Sequence, residues 1–275
     1  MSDLINAEIQ KYPRTPHLEG SRLQPGDEDL DAVPFSEICG APVVVEEKID
    51  GANAAISFDG AGSLRLQSRG HYLTGGPRER QFSMLKTWAQ AHADAFLERF
   101  EDRYTVYGEW MHAVHSVAYD NLPALFLEFD ILDRLTGRFL STARRRELLD
   151  GLPMVSVPVL ACRRFERIEE ITELVGSSLF KSPDWRENFV EMARRAGVDP
   201  ERALAQIDGS ALAEGLYLKV EHQDQVTARL KWVRAGFLQT IQASGSHWAD
   251  RPIINNRLAP GVDIFAPAAG RPTDI

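Results

Sequence analysis

Val43-Val44-Val45 is an unbroken β-branched run of the kind that forms a buried strand. After Glu46-Glu47-Lys48-Ile49-Asp50-Gly51 comes a second apolar run, Ala54-Ala55-Ile56-Ser57-Phe58, and Asp59-Gly60 marks the next turn. Leu64-Arg65-Leu66-Gln67-Ser68 then alternates apolar and polar positions. Val43 to Ser68 therefore predicts a three-stranded meander, with Arg65 and Arg69 opposite Leu64 and Leu66. From Phe82 to Phe100 the period lengthens. Leu85, Trp88, Ala89, Phe96, Leu97 and Phe100 fall on one stripe, which predicts an amphipathic helix. Strand patterns return at Tyr104–Tyr107 and Leu125–Leu132. A short helix is predicted over Arg144–Leu149, with Thr142 as its cap. Ile168 to Ile207 predicts two or three helices, divided by Gly176, Pro183, Gly197 and Pro200. Leu216–Val220 and Val226–Val233 predict a hairpin around His222-Gln223-Asp224.

The ends of the chain lack such periods. Residues 1–42 are rich in Pro, Gly and acids, and Lys11 to Leu18 reads as an extended arm lying on the domain. The expected organisation is an arm over 1–42, a core over 43–233, and a short C-terminal helix and tail over 234–275. The fold class is α+β, antiparallel sheets with peripheral helices.

Composition narrows this little. A chain of 275 residues with 44% hydrophobic and 26% charged positions is ordinary for a water-soluble globular protein. No apolar run approaches the roughly 20 residues of a membrane helix, and the N-terminus lacks a signal-peptide pattern. Two cysteines, Cys39 and Cys162, are too few for a zinc module or a disulfide framework, so a cytoplasmic setting is expected. The net charge of −9 argues against nonspecific coating of nucleic acid but allows a local phosphate grip. It leaves open whether a partner supplies part of any such grip. Basic residues cluster at Arg65–Arg80, Arg144-Arg145-Arg146 and Arg229–Arg234, and a solvated helix face accounts for the middle cluster.

The candidate chemistry starts at Lys48, where a strand ends in a Gly-containing turn. An amine on such a rigid element is a nucleophile once desolvation or a neighbouring cation lowers its pKa. By itself Lys-X-Asp-Gly better describes a surface lysine at a hairpin mouth. Four further blocks follow in order: Tyr107-Gly108-Glu109-Trp110, Phe126-Leu127-Glu128-Phe129-Asp130, Glu214-Gly215-Leu216-Tyr217-Leu218-Lys219 and Arg229-Leu230-Lys231.

These five blocks resemble the ordered motifs of the covalent nucleotidyltransferases, the ATP-dependent polynucleotide ligases and mRNA capping enzymes. The resemblance spans about Val43 to Lys231. Asn53, five positions after Lys48, is similar to the nick-sealing RNA ligases of phage and bacteria, where DNA ligases and capping enzymes usually carry arginine. Gly108-Glu109-Trp110, His115-Ser116, Tyr119-Asp120, Leu122-Pro123 and Phe129-Asp130 look like the same group. Trp232–Ile275 is too short for an OB domain of usual size, so none is expected.

The resemblance implies a nucleotidyltransferase (ligase adenylation) domain that uses ATP with Mg²⁺ or Mn²⁺. Lys48 would take AMP as a phosphoramidate, pass it to an RNA 5′-phosphate, and allow a 3′-hydroxyl to displace it. It places Glu214 at the metal, with Asp50 and Asn53 acting directly or through water. Glu109 would accept a hydrogen bond from the ribose, Phe129 would stack on adenine, and the backbone around Glu47 would read the adenine edge. Arg229 and Lys231, two apart on a strand, share a face and would clamp the phosphate, with Arg69 and Lys219 as further cations at the cleft. Taken singly, Phe129 reads as core alternating with Leu127 and Ile131, Glu109 and Glu214 as surface carboxylates, and Arg229 and Lys231 as an edge-strand guard. His112 and His115 read as a packed or substrate-facing pair. Tyr12, Arg14, Thr15 and His17 read either as cleft lining or as packing of the arm. Other readings are a DNA ligase or a ligase that tolerates DNA on one side of a nick, a capping guanylyltransferase, or a noncatalytic RNA-binding module; the resemblance also leaves room for an end-healing kinase or phosphatase partner that supplies part of the RNA grip.

Overall fold

The computed structural model describes residues 9–22, 31–237 and 252–266. The described residues form the strands β1 (His17–Leu18), β2 (Ala32–Val33), β3 (Val43–Lys48), β4 (Ala52–Phe58), β5 (Leu64–Ser68), β6 (Tyr104–Trp110), β7 (Phe126–Asp133), β8 (Arg138–Phe139), β9 (Val155–Ser156), β10 (Val159–Arg163), β11 (Gly215–His222) and β12 (Gln225–Val233). The helices are α1 (Ser83–Ala91), α2 (Ala93–Phe100), α3 (Thr142–Leu149), α4 (Glu169–Thr172), α5 (Trp185–Arg195) and α6 (Pro200–Leu204). One sheet runs β10-β3-β11-β12-β1-β2 and the other β5-β4-β6-β7-β8, with β9 beside β7. Pairing is antiparallel except for β1 with β12 and β2, and β7 with β9. The α+β expectation holds. Among the described residues no helix is long and apolar enough to cross a membrane.

The predicted meander is corrected. β4 and β5 form a hairpin, but β3 belongs to the other sheet, against β10 and β11. The short Ile49-Asp50-Gly51 link steps from one sheet to the other, and a strand pattern cannot distinguish a hairpin turn from such a step. The helix predicted over 82–100 is broken at His92 (φ −111°, ψ 10°) into α1 and α2, although both halves bury the predicted residues except Leu97, which is half-buried. At α3 the cap is Ser141, whose hydroxyl accepts the Arg144 N–H; Thr142 is the first helical residue. The Arg144-Arg145-Arg146 cluster is not simply a solvated face, because Arg145 is 2% exposed. The predicted hairpin is β11–β12, turned at Gln223 with φ 55°.

Period-two alternation explains how the sheets pack. Val43, Val45, Leu216, Leu218 and Leu230 point outward, into a core closed by Phe35, Ile38, Phe165 and Ile171. In the second sheet, Ala54, Ile56, Val106, Phe126 and Ile131 pack under Leu85, Trp88, Phe96 and Phe100 of α1 and α2. The opposite faces of the two sheets border a shared cleft. The arm lies across its end, with Tyr12 buried against Ala55, Tyr107 and Leu132. The expected C-terminal helix falls mainly on residues outside those described. Of the tail, 252–266 docks through Asn256, whose amide donates to Met111 O at 2.8 Å.

Candidate active site

The cleft has a volume of about 630 Å³, within the range of small-molecule sites. Lys48, Asp50, Asn53, Arg69, Glu109, Phe129, Glu214 and Lys231 all border it, as does Glu47. Strands from both sheets deliver these groups, so residues from positions 47 to 231 reach one space.

Lys48 is the last residue of β3 and pairs with Gly215, which places it beside Glu214 at the start of β11. Its Nζ donates to Glu214 Oε2 at 2.7 Å, and the Glu214 side chain is only 1% exposed. Burial pushes the Lys48 amine down, but Glu214, with Glu109 and Asp50 behind it, raises it further, and the net shift is upward. The sequence expectation was a lowered amine. The structure instead holds Lys48 as an ammonium, because the surplus of carboxylates outweighs desolvation.

Asn53 and Glu109 are directly opposed across β4 and β6, so their side chains share the cleft face. Glu109 Oε1 accepts the Gly51 N–H at 3.0 Å, tying the inter-sheet link to β6. Asp50 Oδ2 accepts the N–H groups of Ser116 and Val117 at 2.7 and 2.8 Å. That bond carries His115 into the cleft, where its Nε2 lies 3.3 Å from Gln81 Oε1. His112 stacks on Trp110 and does not border the cleft, so the two histidines are not a pair.

Burial, then the like charges of Asp50 and Glu214, push the Glu109 carboxyl up to about 8. The folded state therefore keeps a proton that the unfolded chain loses near 4.5, and stability from this group falls as pH rises between those values. Glu109→Gln keeps the acceptor for Gly51 without the charge. Its unfolding free energy should match the parent's at pH 5 and exceed it at pH 9 by an amount on the order of 2 kcal/mol after allowing for water in the cleft. Melts at both pH values, with an unchanged difference between variant and parent, would refute that ionisation.

Phe129 owes its place to a β-bulge. Tyr107 pairs with Asp130 and Gly108 with Glu128, so Phe129 has no partner on β6. The extra residue breaks the alternation with Leu127 and Ile131 and turns the ring into the cleft. There it meets Tyr12 edge-on at 5.1 Å and Tyr217 at 6.4 Å. A chain of hydroxyls closes this end: Thr15 to Tyr217 at 2.5 Å, Tyr217 to Tyr12 at 2.7 Å, and Tyr12 donating to Asp130 at 2.7 Å. Tyr12 and Thr15 thus both line the cleft and pack the arm. Tyr217 and Glu46 were missed by sequence reasoning, although each shares strand parity with a named residue, Lys219 and Lys48.

Two expected cations lie elsewhere. Lys219 is fully buried, 2.8 Å from Glu46 Oε2, and does not border the cleft. The Arg229 guanidinium covers the Phe139 ring at 3.7 Å and meets Asp130 at 3.3 Å, also off the cleft. Both share the inward face with Lys231, as parity required, but acidic neighbours unseen in the sequence engage them first. Lys231, 7% exposed, does reach the cleft. Arg69 reaches the rim and is exposed. The Glu47 carboxylate turns outward to Ser178 Oγ (2.5 Å) and the Leu179 N–H (3.1 Å), and its own N–H donates to Pro158 O at 3.0 Å.

Among the described residues no three His, Cys, Asp or Glu side chains converge as a closed metal cage. The site offers instead an acidic surplus, with Glu214, Glu109 and Asp50 acting on one ammonium. That donor set fits a hard cation that keeps several waters and takes one or two carboxylates.

Two largely antiparallel sheets thus enclose a cleft in which a lysine at a strand end meets Glu214, with Glu109, Asn53 and Lys231 beside it. The model of the RNA ligase family matches residues 41–233, and the chain belongs to that family. No curated protein sequence matches the chain. Among solved structures, variants of the Naegleria gruberi RNA ligase are similar. One, with ATP and Mn, is 19% identical, covers 86% of this chain and 59% of its own, and has a TM-score of 0.51. A second, with AMP and Mn, is 17% identical over 86% and 59%, with a TM-score of 0.50. A third, without ligand, is 17% identical over 88% and 62%, with a TM-score of 0.51. At these identities the likeness is one of fold. This chain spans about three fifths of the length of those ligases.

Proposed function

We propose that this chain is an ATP-dependent RNA ligase working through a covalent lysyl-AMP. The observation that carries the reading is Lys48, 2.7 Å from Glu214, in one cleft with Glu109, Asn53, Phe129 and Lys231. The adenine lies on Phe129, and Glu109 accepts a hydrogen bond from the ribose. Lys48 Nζ, having given up its proton to solvent, attacks the α-phosphorus; an N–P bond forms, the bond to the β-phosphate oxygen breaks, and pyrophosphate leaves. An RNA 5′-phosphate oxygen then attacks the same phosphorus, the N–P bond breaks, and the amine regains its proton. Finally a 3′-hydroxyl attacks the activated 5′-phosphorus, AMP leaves, and a phosphodiester remains.

Lys231 faces the charge that gathers on the transferring phosphoryl group, and Arg69 at the rim suits the incoming strand. Glu214, with Asp50 and Asn53 directly or through water, would hold a Mg²⁺ or Mn²⁺ ion, which would supply further charge neutralisation there. Glu214 holds the Lys48 ammonium, which must lose its proton before it can attack.

Intact-mass analysis after incubation with Mg²⁺ and ATP should show the gain of one AMP, and none of GMP with GTP. A GMP adduct would favour a capping enzyme, and no adduct at all a binding module. Sealing of nicked duplexes with a ribose but not a deoxyribose 3′ end should then separate RNA from DNA ligation, since RNA is distinguished through its 2′-hydroxyl.

A further inference from the structure

Beneath the cleft lies a cluster that the proposed chemistry does not use. Glu46, Glu128 and Asp130 are all fully buried, and so are Arg145 and Lys219 among them. Arg145 Nη2 donates to Glu46 Oε1 at 2.5 Å and its Nη1 to Glu128 Oε1 at 2.9 Å. Lys219 Nζ lies 2.8 Å from Glu46 Oε2 and 3.7 Å from Asp130 Oδ1, and Arg229 caps Asp130 from the far side at 3.3 Å. Three carboxylates thus face three cations, all but Arg229 fully buried, an arrangement costly to desolvate and weak as a source of stability. Its geometry points to another use. Arg145 Nη1 and Lys219 Nζ both donate to one further acceptor, the main-chain carbonyl of Phe129.

That carbonyl belongs to the bulged residue. Phe129 has no register partner on β6, and none on β8 or β9, which pair only with the ends of β7. A carbonyl left out of a ladder needs a partner when buried, and two cations fixed by Glu46 and Glu128 provide it. Glu46 lies two residues before Lys48 on β3 and Arg145 is on α3, so the bulge is tied to the strand carrying the nucleophile.

We infer that Arg145 and Lys219 are positioning residues that clamp the Phe129 carbonyl, hold the bulge and thereby aim the aromatic ring into the cleft. The consequence for nucleotide binding rests on the platform role proposed above for Phe129; the clamp itself does not.

The test uses Arg145→Lys. Lysine keeps the charge, but a single ammonium cannot span Glu46, Glu128 and the carbonyl as the planar guanidinium does. With Phe129 replaced by 4-fluorophenylalanine, the fluorine NMR spectrum of the parent should show one sharp resonance, and Arg145→Lys should broaden or split it. This readout needs no nucleotide. In AMP capture, Arg145→Lys should raise KM for ATP about tenfold, the scale of a weakened base–aromatic stack, with the rate at saturating ATP within about threefold of the parent. In a Phe129→Ala background the same substitution should add less than about twofold, because both changes act through one ring. Should Arg145→Lys fail to fold, Ser156→Ala takes its place. It removes only the hydroxyl donating to Glu128 at 2.6 Å, and a smaller shift of the same kind is expected. An unchanged fluorine spectrum in the folded variant, or additive KM effects, overturns the clamp. Absence of any AMP adduct on the parent would sink the ligase reading instead, leaving the spectrum to decide the clamp.

Discussion

Lys48→Arg is expected to lose AMP capture by at least about 10³-fold while remaining folded. The guanidinium does not release a proton in the accessible pH range, so it cannot offer a lone pair to phosphorus. It can still reach Glu214, whose carboxylate is 1% exposed and meets the Lys48 ammonium at 2.7 Å. Charge balance in the cleft is kept, and the melting temperature should stay within a few degrees of the parent. Lys48→Ala should also lose the adduct, but at a cost in stability, because it strips that carboxylate of its near cation. Intact mass and thermal melts on both variants separate the two effects. An adduct forming on Lys48→Arg at the parent rate would mean that some other side chain is the nucleophile.

Gly215→Ala is expected to cost about 3 kcal/mol or more, enough to prevent folding of a marginally stable chain. Gly215 sits in the interior of its sheet, paired with Lys48 on β3 and Val233 on β12. A Cβ there would collide with the Trp232 carbonyl oxygen and stand 3.0 Å from Trp232 C and Val233 Cα. All three are backbone atoms, which cannot swing aside as a side chain would. Any shift that relieved them would drag Lys231 and Glu214 with it, so even a folded variant should capture AMP poorly. Gly70→Ala is the control: it borders the same cleft, its Cβ would meet nothing within 4 Å, and little change in stability is expected. Urea unfolding of the pair is the measurement. A Gly215→Ala protein within about 1 kcal/mol of the parent would be incompatible with this register of β11 on β12.

Much of the site was legible because its signals are local. Lys48, Asn53, Glu109, Glu214 and Lys231 stand at strand ends or on one strand face, where residue type and parity suffice to place them. Arg229 and Lys219 obeyed the same parity yet were misplaced, because parity states which face a side chain takes and not what waits there. Asp130 and Glu46, from other strands, take those two cations out of the cleft. The upward shift of the Lys48 amine has the same origin: three carboxylates from separate segments, 50, 109 and 214, act on it at once. Thr142 lost the capping role to its neighbour for a smaller reason, the ±1 latitude of helix ends.

The chain's own pattern determined that it would build antiparallel strands with flanking helices, which residues would be buried, and that a lysine would end a strand beside a glycine turn. These are short-range properties, set by side-chain period and backbone freedom. Only the folded molecule decided that β3 would leave its apparent hairpin for another sheet, that a bulge would turn Phe129 out of the core, and that Arg145 would be drawn inside to hold it. Each depends on which distant strand arrives alongside, and pairing across a hundred residues is governed by the summed burial of whole sheets, a quantity no local window contains.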